Sequence, residues 1–293
     1  MIAFYGTQRL WQVVKRTDRK APTRRERLDG YIDCLDPRSS EGQLLAWMRH
    51  HARIDFQRVS RGEPPLGQLA TVLSSLKLAA VDVKEVIFDF ALDEPRVHFN
   101  DGTEAAWGAL SDGYHVFLGL VADIARRAVI LNDHLGANAP LLSGGVVLVD
   151  EIDLHLHPKW QRTVVQGLRK AFPKIQFVLT THSPQVLGSV ENRQVRRLKD
   201  HQIKSEPAHV HGRDSNAILD DEMGASSRSE EGEARRRALH TAIDEGHLDE
   251  ATALLAELKA EWGELDPAVV YAETSLDWAR TTPEDEDARD QEG

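Results

Sequence analysis

The stretch Val146-Val147-Leu148-Val149-Asp150-Glu151-Ile152-Asp153 constrains this chain more than any other. Four apolar, mostly β-branched residues read as a buried strand, being too few for a helix. Two carboxylates follow at its C-terminal end, which in a parallel α/β sheet is the end where ligands sit. Asp150 is there a candidate holder of Mg²⁺, a hard cation that takes oxygen ligands and keeps several waters. Glu151 beside it is a candidate to orient or deprotonate a water. The plainer alternative is a strand end followed by solvated acids.

Two neighbouring stretches weigh against that alternative. Upstream, Leu110-Ser111-Asp112-Gly113-Tyr114 opens a helical pattern in which Val116, Leu120, Ile124 and Ala128 form one apolar stripe. Gly113 permits close backbone approach, Ser111 offers a hydroxyl, and a helix N-terminus carries about half a positive charge. Phosphate-facing chemistry uses those features, although an ordinary Ser/Asp N-cap has the same appearance. Downstream, Ile175 to Thr180 reads as a second central strand, and His182 follows it in Thr180-Thr181-His182-Ser183-Pro184. An imidazole in that place can donate to a phosphate oxygen and orient a water.

At 293 residues the chain can hold one large domain or two smaller ones, and 41% apolar residues suffice for a core. No stretch approaches the apolar length that spans a bilayer. Arg9, Lys15, Arg16 and Arg19 follow the short apolar start, the reverse of a signal peptide's order. The single cysteine, Cys34, excludes an internal disulfide framework and a cysteine-rich zinc site. The expectation is a cytoplasmic protein with no membrane partner. A net charge of −11 argues against a uniformly DNA-binding surface. Charge is uneven, however: residues 9–27 are rich in Arg and Lys and could touch nucleic acid, a solvated face being the plainer reading.

Ile2-Ala3-Phe4-Tyr5 reads as a short strand ended by Gly6. Residues 20–80 look mainly helical, with apolar residues at helical spacing in Gln43–Met48 and Leu66–Leu78 and a break at Pro64-Pro65. His50-His51 is no metal pair, since adjacent helical residues point apart. Glu85–Ala91 and Arg96–Phe99 read as a hairpin, with a second turn at Asn100-Asp101-Gly102. Asn132–Gly145 reads as a loop. Pro158 opens a helix with Trp160, Val164, Val165 and Leu168 buried, ended by Pro173. Val186-Leu187 begins another, and Gln194–Leu198 is expected to be the last strand of this region. Arg235–Trp262 is helical with a break at Gly246, and Pro267–Trp278 suggests a final helix.

Taken together and in this order, the three motifs resemble the signature motif, Walker B strand and switch histidine of ABC-type ATPases. The pattern is most similar to the RecF/SMC-like and OLD-like branch, which includes the ATPase subunit of Septu-type and retron-associated anti-phage systems. The resemblance covers roughly residues 1–200, and more loosely the rest. It implies an α/β fold, the ABC-type P-loop NTPase head: a parallel-rich sheet flanked by helices, with a helical insertion at about 20–80. Residues 201–280 would be a linker, around His211–Leu219, and a C-terminal helical assembly region, and residues 281–293 a disordered acidic tail. The implied cofactors are ATP and Mg²⁺. Asp150 would position the metal, Glu151 would be the general base, His182 would sense the γ-phosphate, and Gln8 would take the Q-loop role. Ser111 and Gly113 would contact nucleotide bound to another subunit, with Asp153 at the interface, so a homodimer or higher homo-oligomer is implied. The expected function is ATP binding and hydrolysis that gates a partner, an HNH-type nuclease in phage defence.

One part of the pattern is missing. ABC-type ATPases carry G-x-x-x-x-G-K-[ST], which wraps phosphates with backbone N–H groups and a lysine, and no Gly-Lys pair occurs in this sequence. Either the chain is an N-terminally truncated product or it is a relative that lost its nucleotide grip. The second case would make it a non-hydrolysing scaffold. A third reading, a nuclease like the OLD-like proteins with a Toprim domain, needs an Asp-x-Asp after a strand. The only late one, Asp285-Glu286-Asp287, lies in the acidic tail.

Overall fold

A computed structural model describes residues 1–7, 27–36, 41–204 and 208–281. The chain forms two compact units, Met1–Ile218 and Leu219–Gly293. No helix among the described residues is long and apolar enough to cross a membrane.

The first unit opens with strand β1 (Ile2–Tyr5), followed by a 3-10 turn at Arg27–Tyr31. Helices α1 (Glu41–Ser60) and α2 (Gln68–Ala79) come next, separated where Pro64-Pro65 withdraws two backbone donors. A small antiparallel sheet is built from β2 (Val83–Asp89), β3 (Glu94–Phe99) and β4 (Glu104–Ala106). Its first turn is shaped by Asp89, whose carboxylate accepts the Ala91 and Leu92 amides at 2.8 and 3.2 Å, and by Asp93 at φ 55°. Helix α3 (Asp112–Leu131) follows, then the short α4 (Ala139–Leu142), strand β5 (Gly145–Val149), α5 (Pro158–Gln161), α6 (Val164–Ala171), strand β6 (Ile175–Leu179) and α7 (Pro184–Gly188). A two-stranded hairpin, β7 (Leu198–Lys199) and β8 (Gln202–Ile203), and α8 (Ser215–Asp221) complete the run.

β1, β5 and β6 form a parallel sheet in that order, with β5 central. Ala3 and Tyr5 of β1 and Val147 and Val149 of β5 are buried in one core with Leu76 of α2, Leu118, Val121 and Ile124 of α3, and Leu168 of α6. The fold is therefore the expected α/β arrangement of a parallel sheet flanked by helices. α6 packs so closely on α2 that a Cβ at Gly167 would collide with the Ala79 carbonyl. The largest wholly buried side chains, Trp107, Phe172, Leu44 and Met48 among them, close the same core.

Several local expectations need correction. The expected loop at 132–145 contains a 3-10 turn, Asp133–Asn138, and α4, whose first turn is set by Pro140. The helix expected from Pro158 to Pro173 is broken: the Thr163 amide turns back to the Trp160 carbonyl at 2.9 Å, and its hydroxyl binds the same oxygen, dividing α5 from α6. Gln194–Leu198 is no strand; Asn192–Gln194 is a capped 3-10 turn, and pairing begins only at Leu198. Residues expected to be linker around 215–219 lie in α8. β4 went unpredicted because three residues carry no periodicity.

The second unit is three helices, α9 (Glu230–Asp244), α10 (Leu248–Trp262) and α11 (Pro267–Thr281). Ser229 caps α9 by accepting the Gly232 amide, and Glu230, Glu231 and Glu233 place negative charge on its positive end. Leu239, Ile243, Ala251, Leu255, Leu258, Val269, Ala272 and Leu276 form its own core. Between α10 and α11, Arg228 grips Asp266 with bonds of 2.7 and 2.9 Å and lies 4.1 Å over the Trp262 ring.

Candidate functional site at the tips of β5 and β6

The site begins where β5 ends. The Asp150 amide donates to the Tyr5 carbonyl at 2.8 Å and the Thr180 amide to the Val149 carbonyl at 3.0 Å, which carries the parallel register one residue past the strands. Thr180 thereby lies beside the acid pair. Its hydroxyl donates to the Asp150 carboxylate and accepts the Glu151 amide at 2.8 Å, the one donor and one acceptor role such a group serves together. Glu151 turns through the left-handed region at φ 49°, and its carbonyl accepts the Leu154 amide at 3.0 Å. A non-glycine residue held there costs of order 1 kcal/mol or more, a kind of strain that collects at functional sites.

A second threonine repeats the link. The Thr181 hydroxyl donates to Asp153 and accepts the Ser183 amide at 3.0 Å. Ser183 in turn caps α7, accepting the Gln185 and Val186 amides, and donates to Gln161 at 2.7 Å, which holds the Leu156 carbonyl at 2.8 Å. His182 is suspended between these two anchored residues and is exposed. Asp150, Glu151 and His182 thus share one corner of the molecule, with both acids half-buried.

Ser111 stands exposed at the mouth of α3, and its side chain makes no capping hydrogen bond. Gly113 is buried against the turn after the acid pair: a Cβ there would lie 2.6 Å from the His155 carbonyl oxygen. The neighbouring Tyr114 ring meets Trp160 edge-on at 3.6 Å between centroids, and its hydroxyl donates to Asp82. Burial, and then the bond to Asp82, pushes the Tyr114 phenol up. Gly113 therefore joins the α3 mouth to the His155 turn, while the Asp150–Glu151 tip lies on the β6 side. Gln8 lies outside the described residues.

Beneath the corner, Tyr5 extends its hydroxyl to Asp123 at 2.8 Å. Arg127 donates to Asp123 at 2.7 Å and to the Gly30 and Ile32 carbonyls at 2.9 and 3.0 Å, and Arg126 donates to the same carboxylate. Burial alone would raise the Asp123 carboxyl; the two guanidinium charges outweigh it and hold that carboxyl well below the usual range. The end of β1, and with it the carbonyl that receives the Asp150 amide, is fixed to α3 by this buried network.

Among the described residues no group of three or more His, Cys, Asp and Glu could hold a metal ion. His157 caps α5 through Nδ1, and His51 binds the Trp47 carbonyl and stacks on its ring. One carboxylate with a bonded hydroxyl is a donor set that fits a hydrated Mg²⁺, which keeps most of its shell as water and phosphate oxygen. The lysine and glycines of a phosphate loop have no counterpart in the sequence. Thr180 and Thr181 were visible in the sequence only as context for His182; their bonds to Asp150 and Asp153 depend on strand register.

Residues 21–188 match the family described as "AAA domain, putative AbiEii toxin, Type IV TA system". The chain is similar to "Retron Vc95 probable ATPase" of Vibrio cholerae serotype O1 biovar El Tor, 37% identical over 232 residues that make up 77% of this chain and 45% of that protein. It is similar to "Retron Ec83 probable ATPase" of Escherichia coli, 43% identical over 122 residues, 42% of this chain and 22% of that protein. It is also similar to "Septu protein PtuA" of Bacillus mycoides, 42% identical over 93 residues, 32% of this chain and 12% of that protein. The chain thus spans less than half the length of each of these relatives.

Proposed function

The chain belongs to this AAA domain family, and from that membership we propose that it is an ATPase head acting in phage defence. The observation that carries the reading is the Thr180 hydroxyl shared between Asp150 and Glu151, with His182 two residues on. Asp150 would hold Mg²⁺, which when bound would supply positive charge against phosphate oxygens. Glu151 would take the proton of an attacking water, and His182 would donate to the terminal phosphate. Phosphoryl transfer to water is mostly positioning and charge stabilisation, which this set provides. Ser111, exposed and uncapped, serves nucleotide on a second copy, so the working form is a homodimer or larger. Its nucleotide state gates a nuclease of HNH type. The names of the retron and Septu relatives support the defence setting.

A second reading is favoured by one observation, the absence of any Gly-Lys pair: the chain is then a scaffold that never hydrolyses nucleotide. Titrating Mg²⁺-ATP into the purified chain separates the two. The ATPase reading expects saturable binding that Asp150→Asn weakens at least tenfold. It also expects hydrolysis that Glu151→Gln reduces at least a hundredfold while binding persists. Binding that is absent, or indifferent to Asp150→Asn, leaves the scaffold.

A further inference from the structure

His182 is exposed, so the direction of its ring is set by the backbone on either side of it. On one side the Thr181 hydroxyl is bonded to Asp153. On the other side Ser183 is buried and its hydroxyl is used to capacity. The oxygen accepts the Gln185 and Val186 amides at 3.1 and 3.2 Å, so its one proton must go to an acceptor. That acceptor is Gln161 Oε1, at 2.7 Å. The other end of the Gln161 amide is also committed, since Nε2 donates to the Leu156 carbonyl at 2.8 Å. A side-chain amide supplies one acceptor and one donor in just this arrangement. Leu156 follows His155, which turns at φ 61° and sets its carbonyl against Gly113 at the mouth of α3.

We propose that Gln161 is a positioning residue for His182, acting through Ser183 and braced on the turn that meets the α3 mouth. The inference rests on the nucleotide reading above, in which His182 donates to phosphate. Gln161 belongs to α5, a single turn that contributes no fully buried side chain. Its two bonds therefore act on loops rather than on core packing: one holds the segment that carries His182, the other the segment that follows the acid pair. Losing Gln161 frees the Ser183 hydroxyl to turn and lets the His182 backbone drift. A drift of about 1 Å in a group that meets the reacting atoms can cost about a hundredfold in rate.

The test reads the His182 ring directly in the full chain, through its carbon–proton NMR signal at fixed pH, assigned by its loss in His182→Gln. Gln161→Leu removes both bonds at similar size and should shift and broaden that signal, while the His240 signal in the helical unit stays. Ser183→Ala should do the same, and Ser183→Thr, which keeps the hydroxyl, should return the signal toward the parent. The double variant Gln161→Leu/Ser183→Ala should move it no further than either single change, since residues on one chain of bonds are not additive. Gln185→Leu, which loses bonds to Arg162 and Ser215 on the neighbouring α7, should leave the signal in place. A His182 signal unmoved by Gln161→Leu overturns the proposal, as does an additive double variant. If Gln161→Leu does not fold, Ser183→Ala against Ser183→Thr decides by the same signal, and equal signals in the two overturn it. Mg²⁺-ATP hydrolysis is read separately, with kcat in Gln161→Leu expected to fall about tenfold or more and binding to persist. A shifted signal in a chain whose parent hydrolyses nothing counts against the nucleotide reading alone. Hydrolysis by the parent with an unmoved signal counts against the brace alone.

Discussion

The Thr180 hydroxyl donates to the Asp150 carboxylate across the gap between two parallel strands. Such a partner orients a metal-binding carboxylate, and losing one typically costs 10- to 100-fold in metal affinity or activity. Thr180→Val keeps the shape and removes the bond. It should weaken Mg²⁺-dependent nucleotide binding about tenfold, with the unfolding midpoint little moved because Thr180 is exposed. Titration calorimetry at several Mg²⁺ concentrations reads the first effect and urea unfolding the second. An unchanged Mg²⁺ dependence would contradict the role.

Gly113→Ala sets two effects against each other. Helix propensity alone favours alanine by about 1 kcal/mol. The new Cβ, however, would meet the His155 carbonyl oxygen at 2.6 Å, and that atom is backbone. Overpacking of this kind costs about 1–3 kcal/mol. Net destabilisation in chemical unfolding is therefore expected, and a stabilised variant would show that the α3 mouth stands clear of the His155 turn.

Asp123 predicts a pH dependence with a definite sign. Its carboxyl titrates lower folded than unfolded. Its contribution is therefore complete above the unfolded value of about 4 and is lost as pH falls below that. Stability followed by urea unfolding should decline downward from about pH 4, less steeply in Asp123→Asn than in the parent. Asp123→Ala at pH 7 strands the buried Arg127 and should cost about 3–5 kcal/mol. A parent curve flat between pH 5 and pH 3 would exclude this linkage.

In the helical unit, Arg228 donates from one guanidinium nitrogen, Nη2, to both carboxylate oxygens of Asp266 and stacks on Trp262. A lysine keeps the charge but loses the planar face that lies over Trp262. Arg228→Lys should cost nearly as much as Arg228→Ala, each about 1–2 kcal/mol after allowance for partial exposure. Thermal unfolding of the full chain compares them, and a lysine variant as stable as the parent would reduce the contact to simple charge.

What the sequence revealed was local. The β5 run and its two acids were legible because β-branched residues ending in carboxylates leave few other structures open. The α3 stripe was legible because its apolar residues recur at 3.6-residue spacing. Thr180 was not legible as the partner of Asp150, since that contact joins residues 30 positions apart through strand register. Asp123 and Arg127 were hidden for a different reason. An acid and a base four apart on a helix normally form a solvated pair, and only tertiary packing shows this pair buried under Tyr5. The short helical pieces at 133–142 and the break at Thr163 within the expected helix escaped because helices of one or two turns are held by contacts and caps, with little intrinsic preference to read.

The left-handed bend at Glu151 has a practical consequence. Main-chain groups shape it: the amide of Glu151 rests on Thr180 and its carbonyl receives Leu154. The carboxylate is carried by that scaffold, so a glutamine or alanine placed there inherits the same contour. A Glu151→Gln copy of this chain should therefore keep its native outline, so that any change it shows reports on the carboxylate rather than on the bend.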